Sequence, residues 1–513
     1  MMGRAKAFLW VVAALAAAGI AAPGAAWARP DKPKPGELWK YAEPSKLEHH
    51  DTAAGAFRLH YVRQGADAVP EGDVDADGTP DYVQQLGQNY EEALAFYKKL
   101  GFDPPPADQG AGGDERFDVY LLDFAGKGDG NFVSESCKAE VCAGYMVQEN
   151  DFAGYGYPSV AYANRILSSH ELFHAVQAGY DAKQSSIISE GTAVWATEQF
   201  DASLHDFEDF LPGYLLHPDR SLDKPMIGPV DSFSYGAAIF FQFLSERYGT
   251  DAVLHLWQDC RNGARGVANP DWFSALAALV IREFGSDFAE ELSAFAQWNL
   301  RTGSYADPDN SYKQGAKYSK VATIPVTLPY RDDDLRVFYA SSQYLRFAPN
   351  GRKEIAVALQ PKTDPASLRL GLVARKGKVF GDWLWLGAPT QQPLWTLDTA
   401  GMDEAFVLLV NTAQGGESVR GSLCIGSPAE AAACLPAVPA QDAGSTDAGG
   451  DDADTAVGSA DTSAPAKPAA SAASADSGCT AGPSAGGSGA AVWAFLLAVW
   501  AVRRRWPAAG SAA

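Results

Sequence analysis

His170-Glu171-Leu172-Phe173-His174 is the stretch from which the rest of the chain is read. Two histidines four residues apart lie one turn apart on the same side of a helix, so both imidazoles can reach one metal ion. The glutamate between them is placed to face a water on that ion. The chain carries only eight histidines in 513 residues, so a chance pair at this spacing is rare.

The flanks support a helix. Ser159-Val160-Ala161-Tyr162-Ala163 reads as β-like, and from Asn164 to about Asp181 the apolar spacing is helical. Ile166, Leu167, Phe173 and Val176 fall on a core-facing side, while His170, His174 and Gln177 share another. No Pro or Gly intervenes before Gly179, the expected helix end.

A catalytic zinc keeps three protein ligands and one open position. Downstream, Ser189-Glu190-Gly191-Thr192-Ala193-Val194-Trp195 reads as the start of a second helix with Glu190 in its first turn. Together with the run from His170 to Gln177, this block resembles the gluzincin metallopeptidases, in which a glutamate on the next helix completes a two-His, one-Glu site. Among these it is similar to a family of secreted zinc metalloproteases of myxobacteria and their relatives. The resemblance runs from about His60 to Gly249, less than half of the chain.

That resemblance implies an α+β zincin-like (gluzincin) catalytic domain. It implies Zn2+ held by His170, His174 and Glu190, and a zinc metalloendopeptidase acting on a protein or peptide substrate, with Glu171 as catalytic base. Glu190 also reads as an acid favoured by the dipole at a helix N-terminus, with Glu198 the next candidate ligand. Better known gluzincins carry an acidic residue four positions after the ligand glutamate, which orients one histidine. Here that position is Val194, which leaves Glu198 and Asp181 as candidates for the role. For an oxyanion donor, Tyr235 at a helix start is the first candidate, with His205, Tyr214 and His217 behind it. Two other functions fit the motif: a non-proteolytic surface adhesin with a structural zinc, and a zinc amidase acting on cell-wall material.

A second metal motif precedes these. Asp73-Val74-Asp75-Ala76-Asp77-Gly78-Thr79-Pro80-Asp81 sets carboxylates at loop positions one, three, five and nine, with Gly at six. Position twelve is Gln84, not the glutamate of an EF-hand. The segment reads either as a short extracellular Ca2+ loop or as an Asp/Gly turn between a strand and a helix.

The ends speak to location. Residues 1–28 read as a signal peptide: Arg4 and Lys6, an apolar run from Phe8 to Ala22, then Ala26-Trp27-Ala28 before a cleavage point. Cys479, the apolar run Ala490 to Val502 and Arg503-Arg504-Arg505 resemble the C-terminal sorting tail of myxobacteria. The tail, 479–513, implies membrane contact before processing near Cys479, then surface display or release; a plain anchor is the alternative. Residues 427–478 read as a spacer, and from about Pro436 to Gly478 it is Ala, Ser, Asp, Gly and Pro with no aromatic residue. Cys137 with Cys142, and Cys424 with Cys434, are expected disulfides, which leaves Cys260 a buried thiol. A net charge of −22 argues against a nucleic-acid partner. A monomer is expected.

Between the ends, two domains are expected. Residues 29–310 mix strands and helices in zincin-like order: strands at Phe57–Tyr61 and Phe117–Phe124, a helix at Val83–Leu100, the metal helices, then helices at Tyr235–Tyr248 and Phe273–Phe284. Residues 320–426 lose helical spacing. Short β-like runs follow, at Val337–Tyr339, Tyr344–Phe347, Glu354–Leu359, Leu368–Val373, Trp383–Trp385 and Ala405–Val410, and predict a β-sandwich domain.

Overall fold

Alternating apolar residues build the first sheet. The computed structural model describes residues 29–35, 37–387 and 394–435. Strands β1 (Glu48–Asp51) and β2 (Phe57–Tyr61) lead into helix α1 (Asp81–Lys99), followed by β3 (Phe117–Leu122), β4 (Gly130–Lys138) and β5 (Val141–Glu149). They pair in the order β1-β2-β3-β5-β4, so β3 is central. The inner three strands are parallel and the outer pairings antiparallel. On β3, Val119 and Leu121 enter the main core, while Tyr120 and Leu122 point the other way, onto Tyr41 and Val147.

Helices α1 and α2 (Val160–Ala178) pack together beside this sheet. At Gly130 of β4 a Cβ would stand 2.6 Å from Leu167 Cδ1 and 3.0 Å from Glu171 Cγ, so only glycine lets the strand approach the helix there. The β-like reading of 159–163 is corrected. Ser159 is the N-cap of α2, its Oγ accepting from Tyr162 N at 3.1 Å, and the helix starts at Val160. Helix α3 (Ser186–Phe200) likewise starts earlier than expected. Ser185 caps it and the fully buried Ile187 and Ile188 anchor its first turn, which moves Glu190 to the second turn.

Short helices follow: α4 (Asp206–Phe210), α5 (Pro212–Leu215), α6 (Ser232–Gly236), α7 (Ala238–Tyr248), α8 (Asp251–Asp259), α9 (Trp272–Leu279) and α10 (Phe288–Leu300). The helix expected over 235–248 is two helices meeting at Ala237, and the one over 273–284 ends in a π turn, Val280–Phe284.

The remaining strands are β6 (Ile324–Pro325), β7 (Tyr330–Val337), β8 (Ser341–Phe347), β9 (Glu354–Pro361), β10 (Leu368–Lys376), β11 (Val379–Phe380), β12 (Leu384–Leu386), β13 (Leu394–Asp398), β14 (Glu404–Asn411) and β15 (Val419–Gly426). One sheet runs β11-β10-β14-β8-β6 with β12 beside β10; the other runs β13-β9-β15-β7. Leu345, Leu370, Leu372, Val407 and Leu409 of the first share a core with Ile355, Val357, Leu359 and Leu423 of the second. The opposite face of the first sheet, with Tyr344, Val373, Phe406 and Leu408, joins the main core. Tyr344 donates its hydroxyl to Ala296 O of α10 at 2.9 Å. The chain thus mixes α and β elements in several sheets, and the main core continues across the boundary expected near 310–320.

The run Val337–Tyr339 is not a strand of its own: β7 ends at Val337 and the chain turns through Ala340, at φ 46°. Inside the expected spacer, Pro428–Ala432 form helix α11, held by a Ser427–Glu430 capping box. Both disulfides are formed, Cys137–Cys142 and Cys424–Cys434, and Cys260 is a buried thiol. Among the described residues no helix is long and apolar enough to cross a membrane. Residues 1–28, the spacer beyond Leu435 and the tail with Cys479 lie outside the described residues.

Candidate metal centre

Helices α2 and α3 pack side by side and bring three residues to one point. His170, His174 and Glu190 offer ligand atoms that all lie within 4.8 Å of one another. Glu190 Oε2 is 3.4 Å from His170 Nε2 and 3.3 Å from His174 Nε2. A tetrahedral ion with bonds of roughly 2.0–2.1 Å spaces its donors about 3.3–3.4 Å apart. The two imidazoles are nearly perpendicular, at 80°, with centroids 4.9 Å apart. Glu190 Oε2 is buried and has no hydrogen-bond partner. A buried carboxylate oxygen facing two ring nitrogens without bonding to either is a donor set that a shared cation satisfies. The residues therefore fit a metal ion.

The electrostatics agree. Burial opposes ionisation of Glu190, but His174 and His170 outweigh it and hold the carboxyl down at about 2. Burial pulls His174 down, and Glu190 and Glu171 overcome it, raising the ring to about 9. Glu171 is 7 % exposed. Its carboxyl is pushed up by burial, with Glu190 and Asp129 adding to the shift and the histidines opposing it.

His174 is oriented by a residue to which the sequence reading assigned no role. Its Nδ1 lies 2.8 Å from Gln177 Oε1. Gln177 Nε2 donates to Ser189 O at 2.8 Å and to Thr192 Oγ1 at 2.9 Å. A carbonyl only accepts, so the amide is fixed with its oxygen towards His174, and Nδ1 carries the proton. The signal was present as the i, i+3 spacing of His174 and Gln177. Neither Asp181 nor Glu198, the two candidates from sequence, takes this role. Asp181 accepts from Lys183 N and Gln184 Nε2, and Glu198 lies towards Glu208 and Lys317.

Tyr235 is 3 % exposed; its ring stacks on Phe210 at 5.1 Å and on His170 at 6.1 Å. Its hydroxyl has no hydrogen-bond partner. Burial, then Glu190 and Glu171, push that hydroxyl well above the usual range, so it stays protonated and can donate. The other candidates lie elsewhere: Tyr214 packs between Phe233 and Phe295, His205 faces Glu208 and His217 is exposed.

In the acidic loop Asp73, Asp75 and Asp81 bring ligand atoms together within the same 4.8 Å limit. Asp77 is turned aside; its carboxylate accepts from Thr79 N at 2.8 Å and Gln84 Nε2 at 2.9 Å. Gly78, at φ 94°, makes the sharp turn, and its N–H donates to Asp73 Oδ2.

No protein-family model matches the chain, and no curated protein matches it. Faint likenesses to solved structures include the following two. One is a periplasmic inhibitor of g-type lysozyme from Aeromonas hydrophila, 12% identical over 20% of this chain and 95% of that one, at a TM-score of 0.15. The other is a family GH115 4-O-methyl-alpha-glucuronidase with specificity for decorated arabinogalactans, 9% identical over 55% of this chain and 46% of that one, at 0.14. Neither likeness carries an argument about fold or function.

Proposed function

We propose that the chain is an exported zinc-dependent peptidase, secreted or displayed at the cell surface. Its catalytic part is a zincin-like domain of gluzincin type and is followed by a β-sandwich. The observation that carries this reading is the spacing of His170, His174 and the unpartnered Glu190 oxygen, with Glu171 buried beside them.

In this reading His170, His174 and Glu190 hold Zn2+, which when bound supplies a Lewis acid and a water of lowered pKa. The Glu171 carboxylate takes the proton of the attacking water and delivers it to the leaving amine nitrogen. Its raised affinity for a proton suits that shuttle. The Tyr235 hydroxyl donates to the oxyanion that develops on the scissile carbonyl. Gln177 keeps His174 in the tautomer whose Nε2 is free to bind. The two disulfides suit an oxidising location. Asp73, Asp75 and Asp81 form a Ca2+ loop at the start of α1 in the same proposal.

Metal analysis of the purified protein, run beside casein and peptide proteolysis with and without chelator, tests the reading. Zinc should be stoichiometric and cleavage should stop on chelation. Glu190→Ala should lose most of its zinc, since two histidines hold it weakly. Normal zinc in that variant, or cleavage indifferent to chelator, sinks the assignment. Hydrolysis of muropeptides in place of peptides would point to the cell-wall amidase.

A further inference from the structure

Gln177 does not hold His174 by itself. Both hydrogens of its amide nitrogen are spent, one on Ser189 O at 2.8 Å and one on Thr192 Oγ1 at 2.9 Å. Its oxygen accepts from His174 Nδ1 at 2.8 Å and from Ser189 Oγ at 3.1 Å. The Thr192 hydroxyl is used up in turn. It donates to Ile188 O at 2.7 Å, and it accepts from Gln177 and from Trp257 Nε1, the latter at 3.1 Å. A backbone carbonyl only accepts and an indole N–H only donates, so each direction along this chain of bonds is fixed.

Thr192, Gln177, Ile188 and Trp257 are all buried, so a bond lost here leaves a polar group unpaired and out of reach of solvent. Thr192 stands on α3 two residues after Glu190, and Trp257 comes from α8. The Trp257 ring also lies beside Tyr180, just past the end of α2, with centroids 6.3 Å apart. Three helices thus meet on one hydroxyl. Its hydrogen is committed to Ile188, so it meets Gln177 with a lone pair and takes the nitrogen end of the amide. An amide turned the other way would offer its N–H groups to His174 Nδ1. That favours the tautomer with the proton on Nε2, which cannot bind a metal ion.

We propose that Thr192 is a positioning residue for the metal centre: its hydroxyl, held in place by Trp257, locks the Gln177 amide and so keeps His174 Nε2 free for the ion. The proposal rests on the zinc site of the peptidase reading. It adds to that site a residue that touches neither metal nor substrate and acts through Gln177.

Two substitutions of opposite character test it on the full chain, with zinc affinity read by competition against a chelating dye. Thr192→Val keeps the shape and removes the hydroxyl; Thr192→Ser keeps the hydroxyl and removes a methyl. Thr192→Val should bind zinc about tenfold more weakly, and Thr192→Ser should stay close to wild type. A role in packing alone predicts the reverse order. The midpoint of the competition curve reports affinity and its amplitude reports folded protein, so partial unfolding does not mask the result. In 15N-edited NMR of the zinc-loaded protein the His174 Nδ1–H resonance should be sharp in wild type and Thr192→Ser, and shifted or broadened in Thr192→Val. Trp257→Phe should weaken zinc binding in the wild-type background and add little in Thr192→Val. Wild-type affinity in Thr192→Val, a Thr192→Ser as weak as Thr192→Val, or fully additive losses with Trp257→Phe overturns the proposal. If wild type takes up no zinc, the peptidase reading fails, and the Gln177 amide decides the lock on its own. Its N–H signals should exchange slowly with D2O in wild type and lose that protection in Thr192→Val; equal protection in both overturns the lock.

Discussion

Gln177 Oε1 accepts from His174 Nδ1 at 2.8 Å, and the same amide ties α2 to Ser189 and Thr192 of α3. One side chain therefore orients His174 and joins the two helices that carry the three residues able to hold a metal ion. Gln177→Ala removes the nearer acceptor of His174 Nδ1 and leaves Ser189 Oγ at 3.4 Å, so the constraint on the tautomer is weakened. Zinc affinity should fall about 10–100-fold. Competition with a chelating dye measures this, and an unchanged affinity would move the orienting role to another group.

Glu171→Gln and Tyr235→Phe should both retain zinc and lose turnover, because neither side chain is a ligand. Loss of the base should cost about 10²–10⁴-fold in kcat. Loss of the tyrosine hydroxyl should cost about 10²–10³-fold, with little change in KM. Metal content and peptide hydrolysis on the same preparations decide the matter. Zinc loss in either variant would mean that the residue helps to hold the metal, and would contradict its role as base or oxyanion donor.

Stability should fall as pH rises from about 5 to above 8. Glu198 and Asp206 have folded-state values raised to about 8 and about 7, from ordinary values of 4.5 and 3.8. A carboxyl whose folded value is raised contributes stability below its unfolded value, and that stability is lost as pH climbs through the folded value. Glu198→Gln removes one such group. The variant should melt several degrees above wild type at pH 8.5, with the gap shrinking towards pH 5. A gap of the same size at both ends would mean that ionisation of Glu198 is not its source.

Calcium should raise the melting temperature of chelator-washed protein, by binding the folded loop at Asp73, Asp75 and Asp81. Asp75→Ala should abolish the shift. Asp77→Ala should reduce it less, because Asp77 already serves Thr79 and Gln84. Wild-type protein that shows no calcium shift would leave the segment a plain turn.

Much of the site was legible in sequence because it is local. The four-residue period of a helix sets His170 beside His174, and the second block announces Glu190. Strand β3 was readable as a strand from the apolar residues of Phe117–Phe124. The start of α3 was not, since Ser185 competes with Ser189 for the capping role and only burial of Ile187 and Ile188 decides between them. Strands β13 and β15 were not legible because their hydrophobicity is broken by polar residues facing out. Helix α11 lies inside the expected spacer although Ser427-Pro428-Ala429-Glu430 carries the capping signature.

The sequence by itself determined that two imidazoles and a glutamate between them share one helix, because helical periodicity depends on no distant contact. It also determined which cysteines could pair, since the partners are five and ten residues apart. Only the tertiary structure decided that Gln177 orients His174, that Tyr235 stacks against His170, and that Asp206 and Glu208 of α4 crowd Glu198 of α3. Each of these depends on how one helix packs on another, and packing is set by the complementary shapes of distant side chains, which no local pattern encodes.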